Sequence, residues 1–264
     1  MINLSDIYSS FINLKWDLNK LERYGKEVYH LFHASSAGLC IRKHWFMTNP
    51  DVPETDPPDA KSERVLRLGT LVHDDYEGAV KLFIKEKERN KEKENNNNIY
   101  IYNNSELLRT IKTISTEVEV VLPELNVRGH YDIVIVMETG EVYLYDLKTI
   151  SSWGYTKRFG RKENRDKNPS INNELQIATY GLAVQKEFGR LDGMYLHYYK
   201  KDDSIFKQKE VPLSFLQDAL TYWKNVNDAV LFEEFPPPIA NFKSPVYTWE
   251  CGYCQYSTHC NNYN

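Results

Sequence analysis

The chain has 264 residues, 33 Lys and Arg against 37 Asp and Glu, and a formal net charge of −4. Hydrophobic residues make up 41% and charged residues 27%, the balance of a globular protein with core enough for one large or two small domains. The charge excludes a globally basic chain, so any nucleic-acid contact must come from a local patch; no apolar run is long enough to span a bilayer.

The first residues, Met1-Ile2-Asn3-Leu4-Ser5-Asp6, lack the basic and apolar regions of a secretory signal. The expectation is a cytoplasmic, reducing setting with no membrane association, where cysteines are not read first as disulfides. Residues 1–32 read as largely helical, with Ile7, Phe11, Leu14 and Leu18 near helical spacing. Pro50, Pro53, Pro57 and Pro58 mark an extended connector over residues 49–60.

A helix is expected from about Ser62, with Val65, Leu68, Val72, Tyr76 and Val80 on one stripe. Gly69, His73 and Glu77 are four apart on it and share a face. His73 offers a metal ligand and Glu77 an outer partner; taken alone, a solvated polar stripe explains the three more simply. The helix decays into the Lys/Glu run 85–94 and Asn95 to Asn98, expected as a solvated helix end and a loop.

Strands are expected near 115–122, 127–137 and 141–149. The last two form a hairpin, with Gly140 in the polar break between runs rich in β-branched and aromatic residues. Side chains alternate along a strand, so Asp132 shares a face with Val134 and Val136, and Asp146 with Lys148. If those faces coincide, two carboxylates and an ammonium meet at one end of a sheet. Carboxylates suit Mg²⁺ or Mn²⁺ with open positions for water and substrate, and a lysine beside them can stabilise charge developing on a phosphodiester. Taken singly, Asp146-Leu147-Lys148-Thr149 also reads as a strand end with a surface ion pair worth little.

Lys157, Arg158, Arg161 and Lys162, with Arg165 and Lys167, follow the hairpin. They offer a DNA-backbone contact, with Trp153, Tyr155 or Phe159 to stack on bases; a solvated loop is the equal alternative. A helix is expected over about 173–188 and carries Gln176 and Tyr180 four apart. A strand near 193–200 and a helix over about 213–231 follow, and Pro236-Pro237-Pro238 breaks the chain before a cysteine-bearing tail. This order predicts an α/β core with one mixed sheet flanked by helices. The four cysteines are Cys40 and the Cys-x2-Cys-x5-Cys set Cys251, Cys254 and Cys260. Four thiolates suit tetrahedral zinc or an iron–sulfur cluster, and His259 leaves a three-cysteine, one-histidine zinc site open.

In this order, Gly69-x3-His73-x3-Glu77, Gly129-x2-Asp132, Asp146-x-Lys148-Thr149 and Gln176-x3-Tyr180 resemble the RecB-type branch of the PD-(D/E)xK nucleases. The split cysteine set, with Ala34 to Lys43 around Cys40, resembles the iron–sulfur subset of that branch. That subset includes the CRISPR-associated RecB-like exonuclease (the fourth Cas protein) and its viral and phage relatives. The resemblance spans roughly residues 33–260 and implies a restriction-endonuclease-like fold. It implies His73, Asp132, Asp146 and the Leu147 carbonyl as ligands of Mg²⁺ or Mn²⁺, Lys148 as the catalytic lysine, and Gln176 and Tyr180 as substrate-contacting or organising residues. It implies a structural 4Fe–4S cluster on Cys40, Cys251, Cys254 and Cys260, with Zn²⁺ as the alternative there.

The expected organisation is an N-terminal helical region, 1–61, a nuclease core, 62–235, and a cysteine tail, 236–264, in one integrated domain. The expected activity is a DNA exonuclease on single-stranded ends in CRISPR adaptation or phage or cellular recombination and repair, with integrase-type partners in the first case. The alternative is an iron–sulfur DNA-end-binding subunit with little cleavage.

Overall fold

The computed structural model describes residues 8, 10–11, 14, 32–49, 51–56, 58–93, 110–165, 171–231, 236, 239–241, 244–245 and 248–262. The expected helix over 1–32 and the asparagine run 95–98 lie almost wholly outside the described residues. The chain divides into two compact units. One comprises His33–Gly38 and Val72–Trp223; the other comprises Met1–Phe32, Leu39–Leu71 and Lys224–Asn264.

The first unit is built on five strands of one sheet: β1 (Ile111–Leu122), β2 (Val127–Met137), β3 (Val142–Ile150), β4 (Gly193–Lys200) and β5 (Ile205–Val211). They lie in that spatial order. Three neighbouring pairs are antiparallel, and β3 with β4 is parallel. A parallel pair needs a long crossover, which α3 (Ser152–Phe159) and α4 (Ile171–Phe188) provide. The sheet is therefore mixed, as the order of elements predicts. The hairpin between β2 and β3 turns where expected, with Gly140 at φ +94° and its N–H donating to the Met137 carbonyl at 2.9 Å.

One face of the sheet is dry. Val134, Leu144, Met194, Leu196 and Tyr198 are essentially inaccessible, as are Leu175, Ile177, Ala178 and Val184 on α4. The apolar run on α4 is what lets it lie on that face. Trp223, fully buried, donates from its indole to Thr179 Oγ1 at 2.8 Å, and Thr179 donates to the Leu175 carbonyl at 2.7 Å.

A 34-residue helix, α2 (Ala60–Lys93), starts near the expected position, with Asp59 Oδ1 accepting from the Ser62 N–H at 2.8 Å. It continues through much of the Lys/Glu run expected to end it. Its apolar stripe is only partly covered, since Val65 and Leu68 are about half exposed. Tyr76, on the same stripe, meets His197 of β4 through a 3.1 Å contact from its hydroxyl to Nε2. The basic stretch expected as a possible loop begins inside a helix: α3 is capped by Ser151 Oγ, which accepts from the Gly154 N–H.

The second unit holds α1 (Ile41–Thr48), a short ribbon (Ile239–Asn241 with Ser244–Pro245), and two short helices, α6 (Thr248–Gly252) and α7 (Ser257–Asn262). Phe46 stacks on Tyr256 at 5.3 Å, and Asp56 accepts from the Thr258 N–H at 2.9 Å. Helix α5 (Phe215–Leu231) is divided between the two units. No helix among the described residues is long and apolar enough to cross a membrane.

Candidate active site

Antiparallel pairing brings the acids together. Val134 lies opposite Leu144 and Ile133 opposite Tyr145, so Asp132 and Asp146 fall at the same level on one face. Asp146 is completely buried and Asp132 is 11% exposed. Lys148, one alternation further along β3, places Nζ 2.7 Å from Asp146 Oδ2. Asp146 Oδ1 has no hydrogen-bond partner among the described residues. A fully buried carboxylate oxygen without a partner is costly and needs a reason.

The main chain of Leu147 ties the site. Its N–H donates to Asp132 Oδ2 at 2.5 Å, and its carbonyl accepts from the His73 ring. His73 comes from α2, with Nδ1 3.7 Å from Asp132 Oδ2. Glu77, expected beside it as an outer partner, instead pairs with Lys81 one turn along the helix.

Burial pushes both acids up, each to about 6, against the opposing pull of Lys148. For Lys148, burial alone would lower the pKa, but Asp146 and then Asp132 outweigh it and hold the ammonium above the ordinary lysine value. Burial and then the Lys148 charge lower His73 and favour the neutral imidazole that a metal requires. Concentrated buried negative charge, an orphaned oxygen and a neutral imidazole together fit a divalent cation.

Gln176 and Tyr180 project from α4, the Gln176 side-chain amide 3.5 Å from the Tyr180 hydroxyl. Burial, then the charge of Asp146, raises the Tyr180 pKa, so the phenol stays protonated. A Cβ on Gly129 would sit 2.9 Å from Tyr180 Cε1 and 3.1 Å from Ala34 Cβ. The glycine of the Gly129-x2-Asp132 spacing is therefore what allows Tyr180 to lie on β2 beside the acid.

Of the basic residues, Lys157 and Arg158 are on α3, while Arg161 and Lys162 follow it and are exposed. Arg158 lies over the Tyr198 ring at 5.3 Å, and Tyr198 is the residue in register with Lys148 across β3 and β4. Lys157 approaches the Trp153 ring at 5.7 Å, and that indole is 73% exposed. A cationic, aromatic helix thus adjoins the lysine.

In the second unit, Cys40, Cys251, Cys254 and Cys260 line one cavity of about 80 Å³. Cys40 precedes α1, and its sulfur accepts from the N–H groups of Lys43 and Arg42. Arg42 Nη1 donates to Cys260 Sγ at 3.2 Å. Burial pushes the Cys40 thiol up to about 11 and raises Cys254 also. His259 packs against Phe46, ring centres 6.2 Å apart. Four thiols around one cavity, with N–H donors aimed at sulfur, fit a thiolate-bound metal or cluster.

One residue near the acids carries no motif. Glu117, on β1, has a carboxylate oxygen within 4.8 Å of ligand atoms of both His73 and Asp132. Its backbone has a φ of +50°, a conformation that strand periodicity cannot signal.

The family model of the PD-(D/E)XK nuclease superfamily matches residues 92–261. The match contains Asp132, Asp146, Lys148, Gln176, Tyr180 and the three C-terminal cysteines; His73 and Cys40 precede it. The comparison with curated proteins gives no match. A solved structure described as "Crystal structure of SSO0001" aligns over 96% of this chain and 96% of its own, at 16% identity and a TM-score of 0.48. The family match spans well over half of the sequence, and its acids and lysine meet on one sheet: the chain belongs to the PD-(D/E)XK nuclease superfamily, whose chemistry is metal-dependent hydrolysis of phosphodiester bonds.

Proposed function

We propose that the protein is a DNA exonuclease of the RecB branch, acting on single-stranded ends and carrying a 4Fe–4S cluster. The observation that carries the catalytic reading is the meeting of Asp132, Asp146, Lys148 and His73 with an unpartnered, fully buried Asp146 oxygen. Mg²⁺ or Mn²⁺ bound by His73, Asp132, Asp146 and the Leu147 carbonyl would supply Lewis acidity at the phosphate and acidify water.

The chain's own residues do the rest. Lys148 is held as an ammonium, so it donates hydrogen bonds to the attacking water and to charge building on the phosphate, and does not act as a base. The Leu147 N–H fixes the Asp132 carboxylate. Tyr180, kept protonated, and Gln176 donate toward phosphate oxygens. Trp153 stacks on an unpaired base while Lys157, Arg158, Arg161 and Lys162 track the backbone. The reading includes one integrated domain with segments at 1–61, 62–235 and 236–264, and a role in CRISPR adaptation, with integrase-type partners, or in recombination and repair.

End-labelled single-stranded and duplex DNA incubated with Mn²⁺, Mg²⁺ or EDTA, beside Asp146→Ala, tests the activity. Metal-dependent loss of label from single strands, absent in the variant, is the expected result. Binding of ends without cleavage under either metal would favour the end-binding subunit. Broad visible absorption in anaerobically purified protein is expected of the cluster, whereas a colourless protein holding zinc would replace it.

A further inference from the structure

Glu117 has two properties that belong together. The ladder pairs Thr116 with Ile133 and Val118 with Tyr131, so Glu117 stands directly across from Asp132. Its own rung is missing from the register because its backbone is left-handed, φ +50°. Asn126 and Ser204, the other non-glycine residues described with positive φ, sit in turns, whereas Glu117 is in the middle of a twelve-residue strand. That conformation costs a side chain such as glutamate on the order of 1–3 kcal/mol, and such strain recurs at ligand clamps.

The strain delivers a carboxylate. His73, Glu117 and Asp132 each present an atom within 4.8 Å of the others, a spacing that one cation could bridge. One nitrogen and two carboxylates form a mixed donor set suited to Mn²⁺ at least as well as Mg²⁺. Asp146 lies outside that trio, with its Oδ2 engaged by Lys148. Glu117 itself is exposed, so this side of the site is open to water and to a phosphate.

We infer that Glu117 is a ligand of the active-site cation, contributed by a strand that none of the recognised motifs includes. The inference rests on the nuclease reading for the presence of that cation. It assigns the left-handed backbone at 117 to ligand delivery, completing the His73 and Asp132 side.

The test is Mn²⁺ titration of the full chain by calorimetry, with the Mn²⁺ paramagnetic resonance signal as an independent count of bound ion, for wild type, Glu117→Gln and Glu117→Gly. Glutamine keeps the shape and removes the charge; glycine removes the ligand and accepts the backbone without strain. Both are expected to weaken Mn²⁺ by roughly tenfold or more, with the glycine variant melting no lower than wild type when metal-free. If glutamine prevents folding, the glycine variant decides. Wild-type Mn²⁺ affinity in both variants, with wild type binding the ion and cutting DNA, would overturn the role of Glu117 alone. A wild type that binds no Mn²⁺ would overturn this role and the nuclease reading together.

Discussion

Replacing Asp132 by asparagine should make the metal-free protein more stable while destroying its activity. The carboxyl is pushed up to about 6 from an ordinary 3.8, chiefly by burial. A carboxyl whose folded pKa is raised costs nothing below its unfolded value, where it is protonated in both states, and its full amount above the folded value. A shift of roughly two units corresponds to ~3 kcal/mol. Asp146 and Lys148 share that charge, so ~1–3 kcal/mol is the expected gain at pH 7.5. Asparagine can still accept the Leu147 N–H through its amide oxygen, so the local hydrogen bond survives. At about 2–4 °C per kcal/mol for a chain of this size, the melting temperature should rise by roughly 2–12 °C. The assay is thermal melting in EDTA from pH 4 to 8, repeated with Mn²⁺. The gain should be near zero at pH 4, grow through pH 4–6, and reverse when Mn²⁺ stabilises only the wild type. A lower melting temperature at pH 7.5, or a gain independent of pH, would refute the reasoning.

Lys148→Ala should abolish cleavage while leaving DNA affinity within a few-fold, read by gel shift beside the nuclease assay. It should also destabilise the fold by about 3–5 kcal/mol in chemical melts at pH 7.5, because the buried Asp146 charge loses its partner. Gly129→Ala should destabilise by about 1–3 kcal/mol, since the added methyl meets Tyr180 and Ala34, and Tyr180→Phe alone should not relieve it. Trp153→Ala should weaken binding of single-stranded DNA by ~1–3 kcal/mol with little change in melting temperature, measured by fluorescence anisotropy. On the proposed cluster reading, Cys254→Ser should lose the visible absorption expected of wild type and melt at a lower temperature; a spectrum matching a coloured wild type would exclude that residue as a ligand.

Much of the sheet was legible because its signals are local. Alternation along 127–137 and 141–149, with Gly140 between, fixes the hairpin, and the hairpin register brings Asp132 to Asp146. The last strand, Ile205–Val211, was invisible: Lys207-Gln208-Lys209-Glu210 is polar on both faces, as an edge strand open to water permits. Helix α3 was hidden by Gly154 and by its short length, which made its basic residues read as a possible loop. Glu117 belongs to no motif, and its left-handed φ is not signalled by a strand pattern; only the pairing of β1 with β2 places it across from Asp132.

The two contacts of Leu147 have a consequence for anyone who would redesign this protein. Because main-chain atoms of Leu147 orient Asp132 and His73, the N–H of its peptide to Asp146 and the C=O of its peptide to Lys148, those orienting groups persist with whatever side chain the buried position 147 can pack. Saturation mutagenesis at 147 would therefore report only on packing, with proline the sole natural replacement that deletes the N–H. Replacing that single amide by an ester, through semisynthesis or nonsense suppression at 147 with a hydroxy acid, would remove the donor to Asp132 without altering charge or shape.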